Sequence, residues 1–208
     1  MASQRQRQLQ GWIDKREAQL QFSLREAQKA VRHKCFVSYH HDDDDDDDDD
    51  VAFLEEFGDV FIPRVLGVSD EDSDLIDSAD TDYVMDQIRE RYLTNSSVTI
   101  VLVGKCTWAR RYVDWEVYST LRSDTKNRRS GLVAITLPSA TDYADRQLPA
   151  RVADNVDGSA GYARWKKYPA SATLLSGILD EAFRARSTKT HLIDNSRARK
   201  INNSSCGA

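Results

Sequence analysis

Cysteine is scarce in this chain and follows no pattern. Its 208 residues hold three, Cys35, Cys106 and Cys206. An odd number without C-x-x-C spacing offers neither a disulfide framework nor a zinc site, and it suits a reducing compartment. Long apolar runs are missing as well, since none approaches the roughly 20 residues that span a bilayer. The opening stretch MASQRQRQLQGW is polar and lacks the apolar centre of a secretory signal. These absences predict a cytoplasmic protein with no membrane partner. The phosphate-cradling loops G-x-G-x-x-G and G-x-x-x-x-G-K-[ST] are absent, and so is the nucleophile elbow G-x-S-x-G. No broad basic surface is signalled, so nucleic acid is not an expected partner. The net charge is −5, but nine consecutive aspartates, Asp42 to Asp50, supply all of that excess and the rest of the chain carries +4. The acidity is a local feature and says little about partners.

What is present reads as globular. Hydrophobic residues make up 40% and charged residues 30%, ordinary for a soluble domain, and the length suits one sizeable domain with an appendage. Residues 1–33 are rich in Gln, Arg, Glu, Ala and Leu. Leu9, Ile13, Leu20, Leu24, Ala27 and Val31 recur on one helical face, which predicts a long amphipathic helix. At about 1.5 Å per residue it would reach roughly 40 Å. Arg16 and Glu17 interrupt the stripe, so the helix either docks on its own domain or pairs with a second copy.

From Lys34 onward the period changes. Four short apolar runs rich in β-branched and aromatic residues read as strands: CFVSY (35–39), VFIPRVL (60–66), SVTIVLVG (97–104) and GLVAITL (131–137). The last two are nearly continuous in apolar character, as central parallel strands are. Pro63 moves the second towards a sheet edge. Helical patterns lie between them: VAFLEEF, then residues 81–93 with Thr81 or Asp82 as N-cap, then 107–122 with Val113, Val117 and Leu121 on one stripe, and finally 171–185. The alternation predicts an α/β domain over 34–185 with a parallel sheet flanked by helices, followed by a polar, frayed segment over 186–208. Ligands of such sheets sit at the carboxyl ends of the strands near the switch in strand order. Attention therefore falls on Ser38 to His41, on 66–80, and on Gly104 to Trp115.

Several chemistries compete there. His40, His41 and the aspartates could hold a hard divalent cation. Consecutive residues cannot all face one ion, however, and no spaced ligand loop is visible, so no metal site is expected. The run reads instead as a solvated acidic loop or the acidic first turn of a helix. A phospho-acceptor domain would need a Ser or Thr after the fourth strand and a Lys after the fifth. Here Thr136 lies inside GLVAITL and no fifth strand is obvious. Glu116, beside Trp115 and near Tyr112, is a carboxylate against aromatic surface, where ionisation can be tuned. Read alone, a helix glutamate is more often a solvent-facing residue.

Three motifs carry a resemblance. The first strand has the form F-x-S-[FY]-H (Phe36, Ser38, Tyr39, His40). The third strand begins N-[ST]-S-V-T-x-V-L-[IV]-G (Asn95 to Gly104). The helix after it has the form R-[RW]-x-V-x-[WY]-E (Arg110 to Glu116). Over residues 34–137 the chain resembles the bacterial TIR-like family of Thoeris anti-phage defence, the ThsB proteins. The resemblance implies a flavodoxin-like TIR fold, no cofactor, and NAD⁺ as substrate. It implies cleavage of the nicotinamide–ribose bond and a cyclic or conjugated ADP-ribose signal that activates an effector protein after a phage trigger. Homo-oligomers through TIR surfaces or the N-terminal helix are implied partners. Glu116 aligns with the family's catalytic glutamate. Phe36, Ser38, Tyr39 and His40 align with the pocket wall, and Asp82, Tyr112 and Trp115 are counted with the substrate-binding residues, the two aromatics serving either as stacking or as packing groups.

The chemistry is coherent from first principles. Nicotinamide departs as a neutral base from a pyridinium and needs no general acid, so one carboxylate suffices where ordinary glycosidases use two. The sequence departs from the family in its aspartate run beside the substrate's path, in the added N-terminal helix, and in residues 138–170, where Arg151, Asn155 and Trp165 are further site candidates. Two other readings remain: a TIR interaction module without catalysis, and a nucleoside deoxyribosyltransferase-like enzyme.

Overall fold

The computed structural model describes residues 15–17, 32–40, 49–65, 81–124, 128–140 and 148–206. The chain falls into two compact units, Met1–Arg32 and His33–Ala208. Of the first, Lys15–Glu17 form helix, and the rest of the expected N-terminal helix lies outside the described residues.

The second unit is a five-stranded, all-parallel sheet: β1 (Lys34–Ser38), β2 (Ile62–Val65), β3 (Val98–Val103), β4 (Gly131–Thr136) and β5 (Arg164–Lys167), in the order β2-β1-β3-β4-β5. The helices are α1 (Asp49–Phe57), α2 (Thr81–Gln87, which widens into a π-helical stretch over Ile88–Leu93), α3 (Arg111–Leu121), the single turn α4 (Ala150–Ala153) and α5 (Ala172–Thr188). The parallel sheet flanked by helices is as the strand–helix alternation predicted, and its order is the flavodoxin-like one that the resemblance implied, with β3 and β4 buried along their whole length.

Side-chain alternation decides which helices cover which face. Cys35 and Val37 of β1, Ile100 and Leu102 of β3, and Val133 and Ile135 of β4 pack with Phe53 and Phe57 of α1 and Leu175 and Leu179 of α5. The intervening residues Val101, Val103, Leu132 and Ala134 pack with Val113, Val117 and Leu121 of α3. Phe36 meets Val84, Met85, Ile88 and Trp115 on that same side. Ser38, two residues on, therefore points towards α3 as well. Gly131 is required where β4 begins, because a Cβ there would lie 2.1 Å from the Ala182 carbonyl oxygen of α5. Asn95 takes the left-handed conformation (φ 71°) that turns the chain into β3, one that asparagine tolerates better than most residues.

Three expectations need correction. A fifth strand exists, and RWKK hides it by being a short charged edge. It ends in lysines, so the stated lack of one is no argument against a phospho-acceptor domain. Thr136 nevertheless belongs to β4, where its hydroxyl accepts the Trp165 indole N–H at 2.9 Å. The helical pattern from 107 is broken, with a 3₁₀ turn over Thr107–Ala109, extended Arg110, and only then α3. Of residues 186–208, expected to fray, 186–188 continue α5 and 189–206 are held by specific hydrogen bonds described below. The acidic run supplies the first turn of α1 with Asp49 and Asp50. Asp49 accepts the Ser139 N–H at 2.8 Å. Asp42–Asp48 and His41 lie outside the described residues.

Candidate active site

The strand order reverses at β1. The chain leaves β1 for β2 on one side and returns past it to β3 on the other, so the crevice of the sheet opens at the carboxyl ends of β1 and β3. Ser38 is the last residue of β1, and Glu116 lies on α3, the helix that follows β3. The Ser38 hydroxyl donates to Glu116 Oε2. Both are withdrawn from water, Ser38 at 1% exposure and Glu116 at 4%. Burial pushes the Glu116 carboxyl up to about 8, against the opposing pull of the Ser38 hydrogen bond. In the free protein near neutral pH this side chain therefore holds a proton, and small changes in its surroundings move it across the physiological range. Tyr39 is half-buried beside the pair, and its phenol is pushed up by burial, then by the negative charges of Asp50 and Glu116.

The aromatic residues form the wall behind the carboxylate. Trp115 is buried with Phe36 against α2. Its indole N–H donates to the Lys200 carbonyl at 2.8 Å. Tyr112 meets Trp115 edge-on, centroids 5.2 Å apart, and its hydroxyl accepts a guanidinium N–H from Arg111 at 3.0 Å. In this structure Phe36 and Trp115 are packing groups. His40 is half-buried just past the end of β1. Asp82 lies on the backbone of α2, and its side chain is not among those described.

Of the candidates between 138 and 170, Arg151 and Asn155 are brought together with each other and with the segment after α5. All five guanidinium N–H groups of Arg151 are used. Nε and Nη2 donate to the two Asp114 oxygens at 2.9 and 3.2 Å, Nη1 to Asn195 Oδ1 and the Arg197 carbonyl at 2.9 Å each, and Nη2 also to the Ala198 carbonyl at 3.1 Å. The Asn155 amide donates to the Asp194 carbonyl at 2.7 Å and accepts the Asp194 N–H at 2.9 Å. Trp165 packs in the α3-side core at the end of β4. These three residues build the frame around α3.

Sequence reasoning missed Asp114 and the pairing of Cys106 with Cys206, which the structure joins as a disulfide across 100 residues of chain. The absence of a disulfide expected from cysteine number is thus overturned. Only the Val113–Val117–Leu121 stripe hinted at Asp114, by putting it off the sheet-facing side of the helix. No sequence signal joins two cysteines so far apart.

A parallel 2-1-3-4-5 sheet with a buried glutamate at the switch point, borne on the helix after β3, is the arrangement that a TIR-like domain would show. The family described as "Thoeris protein ThsB, TIR-like domain" matches residues 36–142, just over half the chain. The chain belongs to that family, and it is a TIR domain of anti-phage defence. No curated protein and no solved structure matches it. Among the described residues no helix is long and apolar enough to cross a membrane.

Proposed function

We propose that this TIR domain cleaves NAD⁺ at the nicotinamide–ribose bond and passes the ADP-ribose moiety into a cyclic or conjugated signal that activates a separate effector. The observation that carries the reading is the buried Glu116 carboxyl, held by the Ser38 hydroxyl at the sheet's switch point. A buried acid whose partner among the described residues is one hydroxyl costs folding free energy, and such groups concentrate at sites of chemistry.

Burial keeps Glu116 neutral near pH 7. A bound pyridinium ribose brings a positive charge, which favours the carboxylate. Ser38 holds Oε2 and so fixes the carboxylate plane, and Oε1 is the oxygen that meets the ribose. As nicotinamide leaves, positive charge develops at the anomeric carbon. A fixed carboxylate then stabilises the transition state more than the ground state, which is what accelerates a step. Tyr39 and His40, at the same strand end, line the approach, and Asp82 and Tyr112 are substrate-binding candidates from α2 and α3. The choice between water, a ribosyl hydroxyl and an added nucleophile as acceptor fixes the product.

The test is incubation of the full chain with NAD⁺, with and without lysate from phage-infected cells, products being identified by mass spectrometry. Nicotinamide release in at least the triggered sample is expected, and its abolition in a folded Glu116→Gln protein. Intact NAD⁺ in both samples, from a protein that binds partners, would establish the non-catalytic interaction module instead. Nucleobase exchange without nicotinamide release would establish the deoxyribosyltransferase-like enzyme.

A further inference from the structure

The segment after α5 returns along the helix that carries Glu116, and its two halves are held very differently. Residues 194–200 are anchored to the interior. Asn195 Nδ2 donates to the Tyr118 carbonyl at 3.1 Å, the Arg151 guanidinium takes three acceptors from Asn195, Arg197 and Ala198, and the Lys200 N–H donates to Asp114 Oδ2 at 2.8 Å. Residues 201–206 are not anchored in this way. Ile201 is 79% exposed, and Asn202 and Asn203 are exposed too. Hydrogen bonds attach them at the start of α3, from the Arg111 N–H to Asn203 Oδ1 at 2.9 Å and from the Ser204 N–H to the Ala109 carbonyl at 2.8 Å. The remaining tie is covalent, Cys206 to Cys106, with Cα atoms 5.6 Å apart, well inside the range disulfides span.

The first of those hydrogen bonds matters for the helix. Arg110, at the N-cap position of α3, makes no side-chain cap. Asn203 supplies the missing acceptor from a segment more than ninety residues away in sequence, which is the role asparagine plays at helix N-termini.

We propose that Cys106–Cys206 is a reversible thiol–disulfide site that decides whether residues 201–206 stay on the N-terminus of α3 as its cap. The reductant is a low-molecular-weight thiol. Its thiolate attacks Sγ of Cys206, which is half-buried, whereas Cys106 is 8% exposed. The S–S bond breaks, Cys106 leaves as thiolate and takes a proton, and the reagent is left joined to Cys206. A second thiol attacks the reagent's sulfur and frees Cys206, giving two protein thiols and one small-molecule disulfide, so that two electrons and two protons enter the protein. Oxidised small thiol reverses the sequence. Cys35 takes no part: it is buried in the sheet, and burial pushes its thiol far up, so it stays protonated and unreactive. The proposal stands apart from the NAD⁺ reading, because neither readout below involves NAD⁺.

The test uses the full chain without added ligand. Differential alkylation with peptide mass mapping follows Cys106, Cys206 and Cys35 in samples poised with oxidised or reduced glutathione. Limited trypsin digestion in the same buffers follows cleavage after Arg199 and Lys200. Under oxidised glutathione Cys106 and Cys206 should be protected as a linked pair, and reduction should expose both while circular dichroism stays native. Cleavage at the two sites should rise roughly tenfold on reduction, because proteolysis tracks the opened population. Cys206→Ser should cleave at the reduced rate in both buffers. Failure of oxidised glutathione to link the pair, or a rise in cleavage under roughly threefold on reduction of the wild-type chain, overturns the proposal.

Discussion

Replacing Glu116 by glutamine should stabilise this protein, and the gain should depend on pH in a calculable way. In the unfolded chain a glutamate titrates at its ordinary value of 4.5, whereas burial raises Glu116 to about 8 in the folded protein. Between these values the folded state keeps a proton that the unfolded state has lost. Stability therefore falls as pH rises from about 4.5 to about 8 and levels off above that. Integrating the two titrations, the wild-type protein should lose about 3 to 4 kcal/mol between pH 5 and pH 8 through this one group. Glutamine does not titrate. It also buries one more N–H, which has a cost of its own, but that cost is the same at both pH values and drops out of the difference. Urea melts of wild type and Glu116→Gln at pH 5 and pH 8 give four stabilities, and every other titrating group cancels in the double difference. The stability of the glutamine variant relative to wild type should rise by about 3 to 4 kcal/mol from pH 5 to pH 8, a large share of a typical domain stability of about 5 to 15 kcal/mol. A rise under about 1 kcal/mol would mean that Glu116 ionises as an ordinary solvated acid, and the case for a withdrawn functional carboxyl would go with it.

Further outcomes can be checked alongside. If the carboxylate form is the active one, kcat/KM for nicotinamide release should rise with pH through a midpoint near 8, the value to which burial raises Glu116. Ser38→Ala removes the hydrogen bond that lowers this value, so the midpoint of the same pH–rate profile should move upward. Arg151→Met leaves Asp114 in the interior without its guanidinium. It should lower stability by about 3 to 5 kcal/mol in urea melts and raise hydrogen exchange in residues 194–200. Replacing Asp42–Asp48 by Gly and Ser should leave nicotinamide release largely intact. Adding Asp49→Ser, which loses the acceptor for the Ser139 N–H at the start of α1, should lower stability by about 0.5 to 1 kcal/mol.

The central sheet was legible because burial on both faces writes itself as unbroken apolar sequence: SVTIVLVG and GLVAITL became β3 and β4 almost residue for residue. Edge elements carry no such signature. β5 is RWKK, with two exposed lysines, and α4 is a single turn. The stripe Val113–Val117–Leu121 gave the face of α3 that meets the sheet, but periodicity cannot say what an acid on another face touches. Glu116 reads as an ordinary helix glutamate until β1 is placed beside it. The order of residues 189–206 could not be read at all. Their side chains are polar, and what fixes them are backbone carbonyls of that segment meeting a buried guanidinium from α4.

Two buried acids two residues apart on α3 show how the fold distinguishes structure from chemistry. Asp114 is given a guanidinium in fork geometry and the Lys200 N–H. The guanidinium itself is satisfied at every N–H, which is the condition under which a buried ion pair is tolerated. To achieve this the chain recruits α4 and the whole stretch 194–200. Glu116 receives one serine hydroxyl. If the fold merely needed an acid at each position, both would be matched with cations, since an unmatched buried carboxyl lowers stability at every pH above its unfolded value. The frame thus ties α3 down through Asp114 and, among the described residues, sets no cation against Glu116 where β1 and β3 part. Under the proposed reaction, a pyridinium or a sugar cation would be the positive partner that the described residues do not give Glu116.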